Sequence, residues 1–331
     1  MIRFRTYISV SLLCTVLVVT GLVSSASAGP ASPSAVLDTL RTKDRDIATA
    51  PLVLSFEITE PANPFDPAQG TEHSDCTLTQ SADGMVFHST STYSQEPIFR
   101  HAGVRDYRRD DFDDDGSLVV WRTVEKYSVS SSTRNDTLEY LQKYNVTPAG
   151  TVIKAPSIHA QLQKFPLGSI ENIHERDYLM NSLGRGFSPG LEKVSSVKAQ
   201  ADGLAFIEGT GSYGTGLNGK WTAVAEPAAD HLIRYARFTE EGKTTPTMYV
   251  ESFGTIQGGG LTLAKEGKLT YIYDVKGRFE VSVHLTSITT ATKSQTMQQA
   301  VSKLDAAPQS RGLETIDFRV DPPQRTFDDA K

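Results

Sequence analysis

The stretch from Gly209 to Trp221, GTGSYGTGLNGKW, has the residue types and spacing of a phosphate-binding loop. Its first glycines spell G-x-G-x-x-G, and Gly214, Gly219 and Lys220 spell most of a P-loop. Both motifs bind phosphate only when a helix follows directly, because the helix N-terminus holds the anion. Here the strand-like KWTAVA follows, and Trp221 stands where a P-loop needs Ser or Thr. We therefore predict the turns of a bent hairpin and no nucleotide site.

The acidic stretch DFDDDG matches the first half of a calcium-binding loop. Its candidate ligands are Asp111, Asp113 and Asp115. Such a loop ends in a bidentate Glu, but Arg122 occupies that position, and its charge would repel the ion. We interpret the stretch as an acidic hairpin tip, and a weak calcium site remains the alternative.

No residue constellation specifies a catalytic reaction, a metal or an organic cofactor. The motif GFSPG, residues 186–190, matches G-x-S-x-G, but Pro189 after the serine has no N–H for an oxyanion hole. Paired carboxylates on distant strands leave no local signature. A secreted hydrolase that uses Asp177, Asp230 or Glu251 therefore remains a lesser alternative to a non-enzymatic protein.

The N-terminus has the pattern of a cleaved export signal. Arg3 and Arg5 precede an apolar run, and Ala26-Ser27-Ala28 is an A-x-A cleavage site at the end of residues 1–28. Cleavage leaves residues 29–331 as the mature chain. We expect an exported, periplasmic protein; a secreted protein or one anchored by an uncleaved N-terminal segment is the alternative.

The mature chain is acidic and has one cysteine. Without Arg3 and Arg5 it has 31 basic and 39 acidic residues, a net charge of −8. This charge argues against nucleic acid, which is bound by clustered Lys and Arg. Cys76 alone remains after cleavage, so no intrachain disulfide forms, and we expect Cys76 to be buried.

Turn dipeptides separate alternating apolar and polar runs along most of the mature sequence. They are Asp83-Gly84, Asp115-Gly116, Asp202-Gly203, Asn218-Gly219, Glu241-Gly242, Glu266-Gly267 and Lys276-Gly277. In FEVSVHLTSI, residues 279–288, apolar side chains alternate with polar ones, which is typical of a strand with one covered face. The pattern predicts one large antiparallel sheet.

Three amphipathic helices are predicted beside this sheet. The first spans residues 32–48 with Ser32 as its N-cap, the second spans residues 169–183 and ends at Gly184, and the third starts near Ser294. The predicted fold is mainly β (α+β). Since no Pro/Ser linker divides the chain, we expect a single domain over residues 29–331.

The C-terminal sequence FRVDPPQRTFDD, from Phe318 to Asp329, resembles the end of the LolA-type periplasmic lipoprotein carriers. Earlier parts follow in that family's order: a signal peptide, an amphipathic helix and the strand LVLSFEIT. The hairpin at Asp115-Gly116 with SLVVWRTVEKY, and the late meander from Arg234 to Ile256, are also similar to parts of that family. The resemblance covers part of the mature chain.

The resemblance implies a curved, open half-barrel whose concave face is covered by helices, with acyl chains held between sheet and helices. It implies a non-enzymatic protein of outer membrane lipoprotein sorting that binds or transports lipid or lipoprotein acyl chains and meets an envelope membrane receptor. The candidate lining residues are Trp221, Phe279, Val281, Val283 and Leu285. Packing as solid core is the alternative for each of them.

Two features depart from that family. The chain is longer than the carriers, and we expect insertions around residues 128–200. The carriers also have an Arg-Pro early in the sheet whose arginine helps to hold the helical cover, whereas QEPIFR places Glu96 before Pro97. No residue is therefore assigned to that role. The alternative function is an envelope interaction or sensor domain of the same fold with a filled core.

Overall fold

The structure is a computed structural model, and it describes ten stretches of the chain. These are residues 32–61, 70–94, 112–147, 151–168, 179–187, 190–213, 216–273, 277–291, 295–306 and 312–328. The predicted export signal, residues 1–28, lies outside them. Within these stretches no helix is long and apolar enough to cross a membrane.

Strands dominate the described residues. In chain order they are β1 (Leu52–Glu60), β2 (Glu72–Ser81), β3 (Gly84–Tyr93), β4 (Leu118–Ser131), β5 (Asn135–Val146), β6 (Ser157–Lys164), β7 (Leu191–Ala199), β8 (Ala205–Tyr213), β9 (Leu217–Glu226), β10 (Leu232–Glu240), β11 (Met248–Phe253), β12 (Ile256–Gly258), β13 (Leu261–Leu263), β14 (Glu266–Tyr273), β15 (Gly277–Thr290), β16 (Leu313–Asp317) and β17 (Gln324–Asp328). The helices are α1 (Pro33–Thr49) and α2 (Gln295–Ala306).

Fifteen strands form one open sheet, and β12 and β13 form a separate hairpin. The order in the sheet is β17-β16-β6-β5-β4-β3-β2-β1-β15-β14-β11-β10-β9-β8-β7, so β17 and β7 are its two edges. This confirms the predicted mainly-β architecture with one large open sheet. One pair departs from the antiparallel expectation, because β16 runs parallel to β6. The chain enters β16 from α2 rather than from a hairpin, and such a crossover permits parallel pairing.

Helix α1 begins where predicted and ends one residue later than predicted, at Thr49, and α2 begins at Gln295, beside the predicted start near Ser294. The side-chain oxygen of Ser32 accepts a hydrogen bond from Ala35 N at the start of α1, and Pro33 is the first helical residue. The second predicted helix is described only over its last turn, residues 179–182, where the following Gly184 has a φ of 78°. A positive φ at this position is the usual glycine C-terminus of a helix.

The helices lie on opposite faces of the sheet. Neighbouring residues of a strand point to opposite faces. Phe87 of β3 packs in the cluster that contains Leu78 and Ile47 of α1, whereas Val86 packs in the cluster that contains Leu304 of α2. We call these two sides the α1 face and the α2 face. In the order of the sheet, the α1 face extends over the ten strands β3-β2-β1-β15-β14-β11-β10-β9-β8-β7. The α2 face is covered at β3, β4, β5, β6 and β16.

Two predicted turns lie inside strands. Asn218-Gly219 belongs to β9 and Glu266-Gly267 to β14, so these two turn predictions were wrong. The turn before β9 precedes Leu217, and Gly209 and Gly211 of the glycine-rich stretch lie within β8. A side chain at Gly211 or Gly219 would overlap a backbone carbonyl of a neighbouring segment. The glycines therefore serve close approach in the sheet more than chain reversal.

Residues 128–200, where insertions are expected, contribute the end of β4 and all of β5, β6 and β7 to the sheet.

Cys76 of β2 is 4% exposed, which confirms that it is buried. A bulge in β4 between Thr123 and Glu125 shifts its pairing with β5. Such bulges bend a strand and increase its local twist.

Candidate functional site

The α1 face carries a continuous apolar surface across ten neighbouring strands, from β3 through β1 and β15 to β7. Each of its strands contributes buried side chains to one of two clusters. The members that are less than 3% exposed include Leu52, Leu54, Phe56, Ile207, Ala225, Ile233, Phe238, Met248, Val250 and Leu269. Burial on this scale makes the α1 face the largest apolar surface among the described residues.

The five predicted lining residues all lie on this face. Trp221 belongs to the cluster that β7 to β11 and β14 form with the N-terminal half of α1. Val281, Val283 and Leu285 belong to the cluster around β1 and β15, and Phe279 is half-buried against it. The exposed fractions of the three aliphatic side chains are 0%, 2% and 0%. They contact the segments that cover the sheet, which we call the cover.

The cover has three parts: α1, residues 179–187 and the β12–β13 hairpin. Helix α1 places Leu37 and Leu40 in the Trp221 cluster and Ile47 in the Val283 cluster, so it spans both. The helical turn contributes Leu179 and Leu183, both fully buried. In the hairpin, Ile256 and Leu261 pack partly buried against the same cluster.

A glycine permits the helical turn to lie against the sheet. Gly267 of β14 lies directly beneath Ser182, and a Cβ atom there would overlap the carbonyl oxygen and carbonyl carbon of Ser182. Gly184, which ends the turn, also lies close to backbone: a Cβ atom there would be 2.5 Å from the carbonyl oxygen of Ile233. The predicted hairpin signal Glu266-Gly267 is thus a site of close packing.

An aromatic group surrounds Trp221. Its indole N–H donates to the backbone oxygen of Ser212 at 3.2 Å. Phe187 meets the Trp221 ring edge-on at 5.8 Å between ring centroids, and Phe238 lies 5.1 Å away. Tyr213 completes the group, with its hydroxyl 3.0 Å from that of Tyr271. Phe187 comes from the cover, so the group joins the cover to the sheet.

Arg185 is the main polar link between the cover and the rest of the protein. It is 3% exposed. Its guanidinium donates from Nε and Nη2 to the carbonyl of Thr262 at 3.3 and 3.1 Å, from Nη1 to that of Asp230 at 2.9 Å, and from Nη2 to that of Ala229 at 3.4 Å. Arg185 therefore joins the helical turn to the hairpin and to the turn before β10.

Residues of α1 extend this network. The Gly186 N–H donates to the Asp44 carboxylate at 3.0 Å, and Lys43 Nζ lies 3.2 Å from the carboxylate of Asp230. That carboxylate also accepts a hydrogen bond from the hydroxyl of Thr262 at 3.2 Å. All three parts of the cover therefore meet at Asp230 and Arg185.

Two pKa values in this network are shifted, one by a neighbouring charge and one by burial. The hydrogen bond from Lys43 lowers the pKa of Asp230, and Thr262 and Arg185 lower it further. Burial lowers the pKa of Arg185, while the carboxylates of Asp44 and Asp230 act in the opposite direction. The guanidinium remains charged at any physiological pH.

Sequence reasoning missed Arg185. The residue stands where an arginine follows a helix C-terminus, and a cation there is favoured by the helix dipole. That signal is weak, and its carbonyl partners are 44 to 77 residues away along the chain. Glu96 and Pro97, which prevented assignment of a cover-holding arginine, lie outside the described residues.

The described carboxylates that were candidate calcium ligands bind amines and an amide of the protein. Asp113 binds the Lys143 amine at 3.1 Å and the Asn145 amide at 2.7 Å, and Asp115 binds Lys154 at 2.7 Å. Hydrogen bonds from Asn145 and Lys143 lower the pKa of Asp113. Asp111 lies outside the described residues. Among those described, no group of three acidic, His or Cys side chains is arranged to hold a metal ion.

The candidate catalytic acids do not form a pair in the described residues. Asp230 lies in the turn before β10, and its pKa is lowered, whereas a general acid needs a raised one. Glu251 is exposed on β11, beside the buried Val250 that belongs to the α1 face. Asp177 lies outside the described residues.

No protein-family model and no curated protein matches this chain. Among solved structures, it is similar to a DUF1329 family protein from Desulfovibrio piger (8% identity, 80% of this chain and 96% of that one, TM-score 0.39). It is also similar to a LolA superfamily protein from Nitrosomonas europaea (7% identity, 81% of this chain and 97% of that one, TM-score 0.40). A third similar structure is LprF from Mycobacterium bovis (12% identity, 80% of this chain and 97% of that one, TM-score 0.26). Similarity at this level says nothing about what this chain binds.

Proposed function

We propose that this protein is a non-enzymatic, periplasmic binding or carrier protein for lipid or lipoprotein acyl chains, which bind on the α1 face beneath the cover. The observation that supports this most is the apolar surface across ten strands, covered by three segments that Arg185 and Asp230 link to one another. A surface of this kind needs no catalytic group to bind its ligand.

The binding energy would come from removing methylene groups from water. Each buried methylene contributes about 0.8 kcal/mol, so one acyl chain of ordinary length supplies several kcal/mol. The acyl chain would replace side chains of the cover: Phe187 beside Trp221, and Leu179 and Leu183 in the cluster of Val281 and Val283. The cover would therefore have to move outward, and the hydrogen bonds of the Arg185 network are among the polar contacts that such a movement would break.

The second candidate is an envelope interaction or sensor domain of the same fold with a filled core. The burial of Val281, Val283 and Leu285 against the cover supports it, because packed side chains leave no room for a ligand unless the cover moves. The two candidates differ in one observable, which is whether the purified protein carries acyl chains.

Native mass spectrometry of the mature protein from an envelope fraction, followed by organic extraction, tests the proposal. Val283→Thr introduces a hydroxyl on the α1 face without changing side-chain volume, and Val53→Thr makes the same change on the opposite face of β1. We expect acyl-containing species at nearly one per protein in wild type and Val53→Thr, and a large loss in Val283→Thr. A clean apo mass that lipid incubation leaves unchanged would favour the filled-core domain.

A further inference from the structure

A second concave site lies on the α2 face, apart from the surface that the proposed function uses. It is a cleft of about 560 Å³ where the ends of β5 and β6 meet the C-terminal end of α2. This volume is within the usual range of small-molecule sites, which is about 300–1,000 Å³. The cleft is therefore large enough for a ligand of its own.

Three cationic side chains converge on the cleft from separate elements. Arg134 comes from the β4–β5 turn, Lys164 from the end of β6 and Arg319 from the turn after β16. Like charges repel each other at short range, so such a convergence is unfavourable without counter-charges. Two of the three have them in the protein.

The arginines are paired and Lys164 is not. Arg134 binds the carboxylates of Asp136 at 2.7 Å and Asp305 at 2.6 Å. Arg319 binds Asp317 at 2.6 Å. No described carboxylate lies within ion-pair distance of the Lys164 amine. The pKa of Asp317 is lowered to about 2, first by the hydrogen bonds and charge of Arg319 and then by the charge of Lys164. The three carboxylates Asp136, Asp305 and Asp317 balance the three cations in number, and Lys164 is the cation of this group that has no ion-pair partner among the described residues.

Both arginines also keep donors for another acceptor. Arg134 uses Nε and Nη1 for its carboxylates, and Arg319 uses Nε and Nη2. The remaining Nη2 of Arg134 and Nη1 of Arg319 donate to no described residue. Guanidinium groups bind carboxylate and phosphate oxygens with favourable geometry, and a lysine adds a mobile point charge.

The cleft also has apolar lining residues beside its charged and polar ones. Leu162 of β6 and Leu304 of α2 form its floor, both buried. Phe165 forms one wall and stacks on Phe318 with ring centroids 5.1 Å apart, and Leu167 is 58% exposed at the rim. An ion alone would leave the accessible parts of Phe165 and Leu167 in water.

From this arrangement we infer that the cleft binds an anionic amphiphile, in which a carboxylate or phosphate group contacts Lys164 and the two arginines and an apolar body contacts Phe165 and Leu167. The ligand is either a soluble amphiphile or the headgroup region of an anionic lipid, since both present the same chemistry. The site lies on the opposite face from the proposed acyl-chain surface, so the two can be tested separately.

Calorimetric titration of the full mature chain with octyl phosphate, below its micelle concentration, tests the inference. Lys164→Gln removes the cation that has no described ion-pair partner, and Lys193→Gln makes the same change on edge strand β7 at the other end of the sheet. Leu167→Asn removes an apolar contact at an exposed position, where folding tolerates the change. Urea unfolding of each variant verifies that it is folded.

We expect one binding site, affinity reduced about tenfold or more by Lys164→Gln, a few-fold reduction by Leu167→Asn and no change with Lys193→Gln. Inorganic phosphate should bind more weakly than octyl phosphate. Lys164-dependent sedimentation with phosphatidylglycerol vesicles, but not with phosphatidylcholine vesicles, would identify a lipid headgroup as the source. Octyl phosphate binding without vesicle binding would identify a soluble amphiphile. If neither probe binds, or if Lys164→Gln binds as well as wild type, the inference is wrong.

Discussion

The carbonyl of Ser182 lies directly on Gly267, so that the last turn of a helix contacts the backbone of β14 with no side chain between them. This contact sets the height of residues 179–187 above the sheet and brings Leu179 and Leu183 into the core. Proteins transmit strain at such packed contacts because their interiors have few voids. A methyl group at Gly267 should therefore affect the whole cover.

We predict that Gly267→Ala lowers the free energy of unfolding by about 3 kcal/mol, because overpacking against backbone cannot be relieved by a side-chain rotation. Urea denaturation of the mature protein measures it. Gly203→Ala is the control: Gly203 lies in open space with a φ of 82°, so the same substitution should cost only about 1 kcal/mol of backbone strain. Equal losses in the two variants would contradict the close packing at Gly267.

We predict that Arg185→Met destabilises the protein by about 3 kcal/mol or more, because it leaves the carbonyls of Ala229, Asp230 and Thr262 without their buried donors. Arg185→Lys should recover only part of the loss, since an ammonium group cannot span all three carbonyls. Urea unfolding measures both. Arg45→Ala, on the exposed side of α1, should be neutral within about 0.5 kcal/mol.

Hydrogen exchange shows which segments of the protein Arg185 stabilises. In Arg185→Met, amide protection should fall in α1 and in residues 179–187 before it falls in β1 or β15. A uniform loss of protection across the sheet would show that Arg185 stabilises the whole fold rather than the attachment of the cover.

The pH dependence of stability should depend in part on Asp230. The pKa of Asp230 is lower in the folded protein than in the unfolded chain, first because of the hydrogen bond from Lys43. The charge of Asp230 therefore stabilises the fold above about pH 4, and this stabilisation is lost as the pH falls through the pKa of the folded state. Asp230→Asn should therefore be less stable than wild type at pH 7, by less than about 1 kcal/mol because the pair is partly exposed.

Urea unfolding of wild type and Asp230→Asn between pH 7 and pH 3 measures this difference. It should shrink below about pH 4, where the carboxyl is increasingly protonated in the unfolded chain. A difference that stays constant down to pH 3 would mean that the charge of Asp230 does not stabilise the fold.

We predict that millimolar calcium leaves the thermal unfolding midpoint unchanged. Lys143, Lys154 and Asn145 already satisfy the carboxylates of Asp113 and Asp115, and a cation would have to displace two amines. Differential scanning calorimetry with calcium and with chelator checks this. A rise of several degrees that Asp113→Asn abolishes would restore the calcium interpretation of this acidic hairpin.

The sequence predicted those elements in which local signals agree. Strand β15 combines alternation over residues 279–285 with a turn glycine at its first position, and α1 combines an N-cap serine, a proline and an apolar stripe. Gly267 shows where such signals fail: Glu-Gly indicates a turn, yet this glycine is required by a carbonyl that lies 85 positions earlier in the chain. Close approach between distant segments leaves no local pattern.

The candidate site was predictable to a similar extent. Alternation placed Val281, Val283 and Leu285 on one covered face, which requires only a period of two. It did not indicate that Val86 and Phe87 face different helices, because both faces of β3 are covered by parts of the chain that are distant in sequence. Arg185 was missed for the same reason, since its function depends on carbonyls of distant turns.

The pairing of β1 with β15 has a consequence for biosynthesis. β1 lies in the middle of the sheet, and its partner β15 emerges after β2 to β14 have all been made. Until then the chain holds two part-sheets, one ending at β1 and the other at β14, each with an unpaired edge that can bind the wrong strand. Such late, long-range closure slows folding. A chain truncated before Gly277 should therefore aggregate, and chaperones should bind nascent chains of that length.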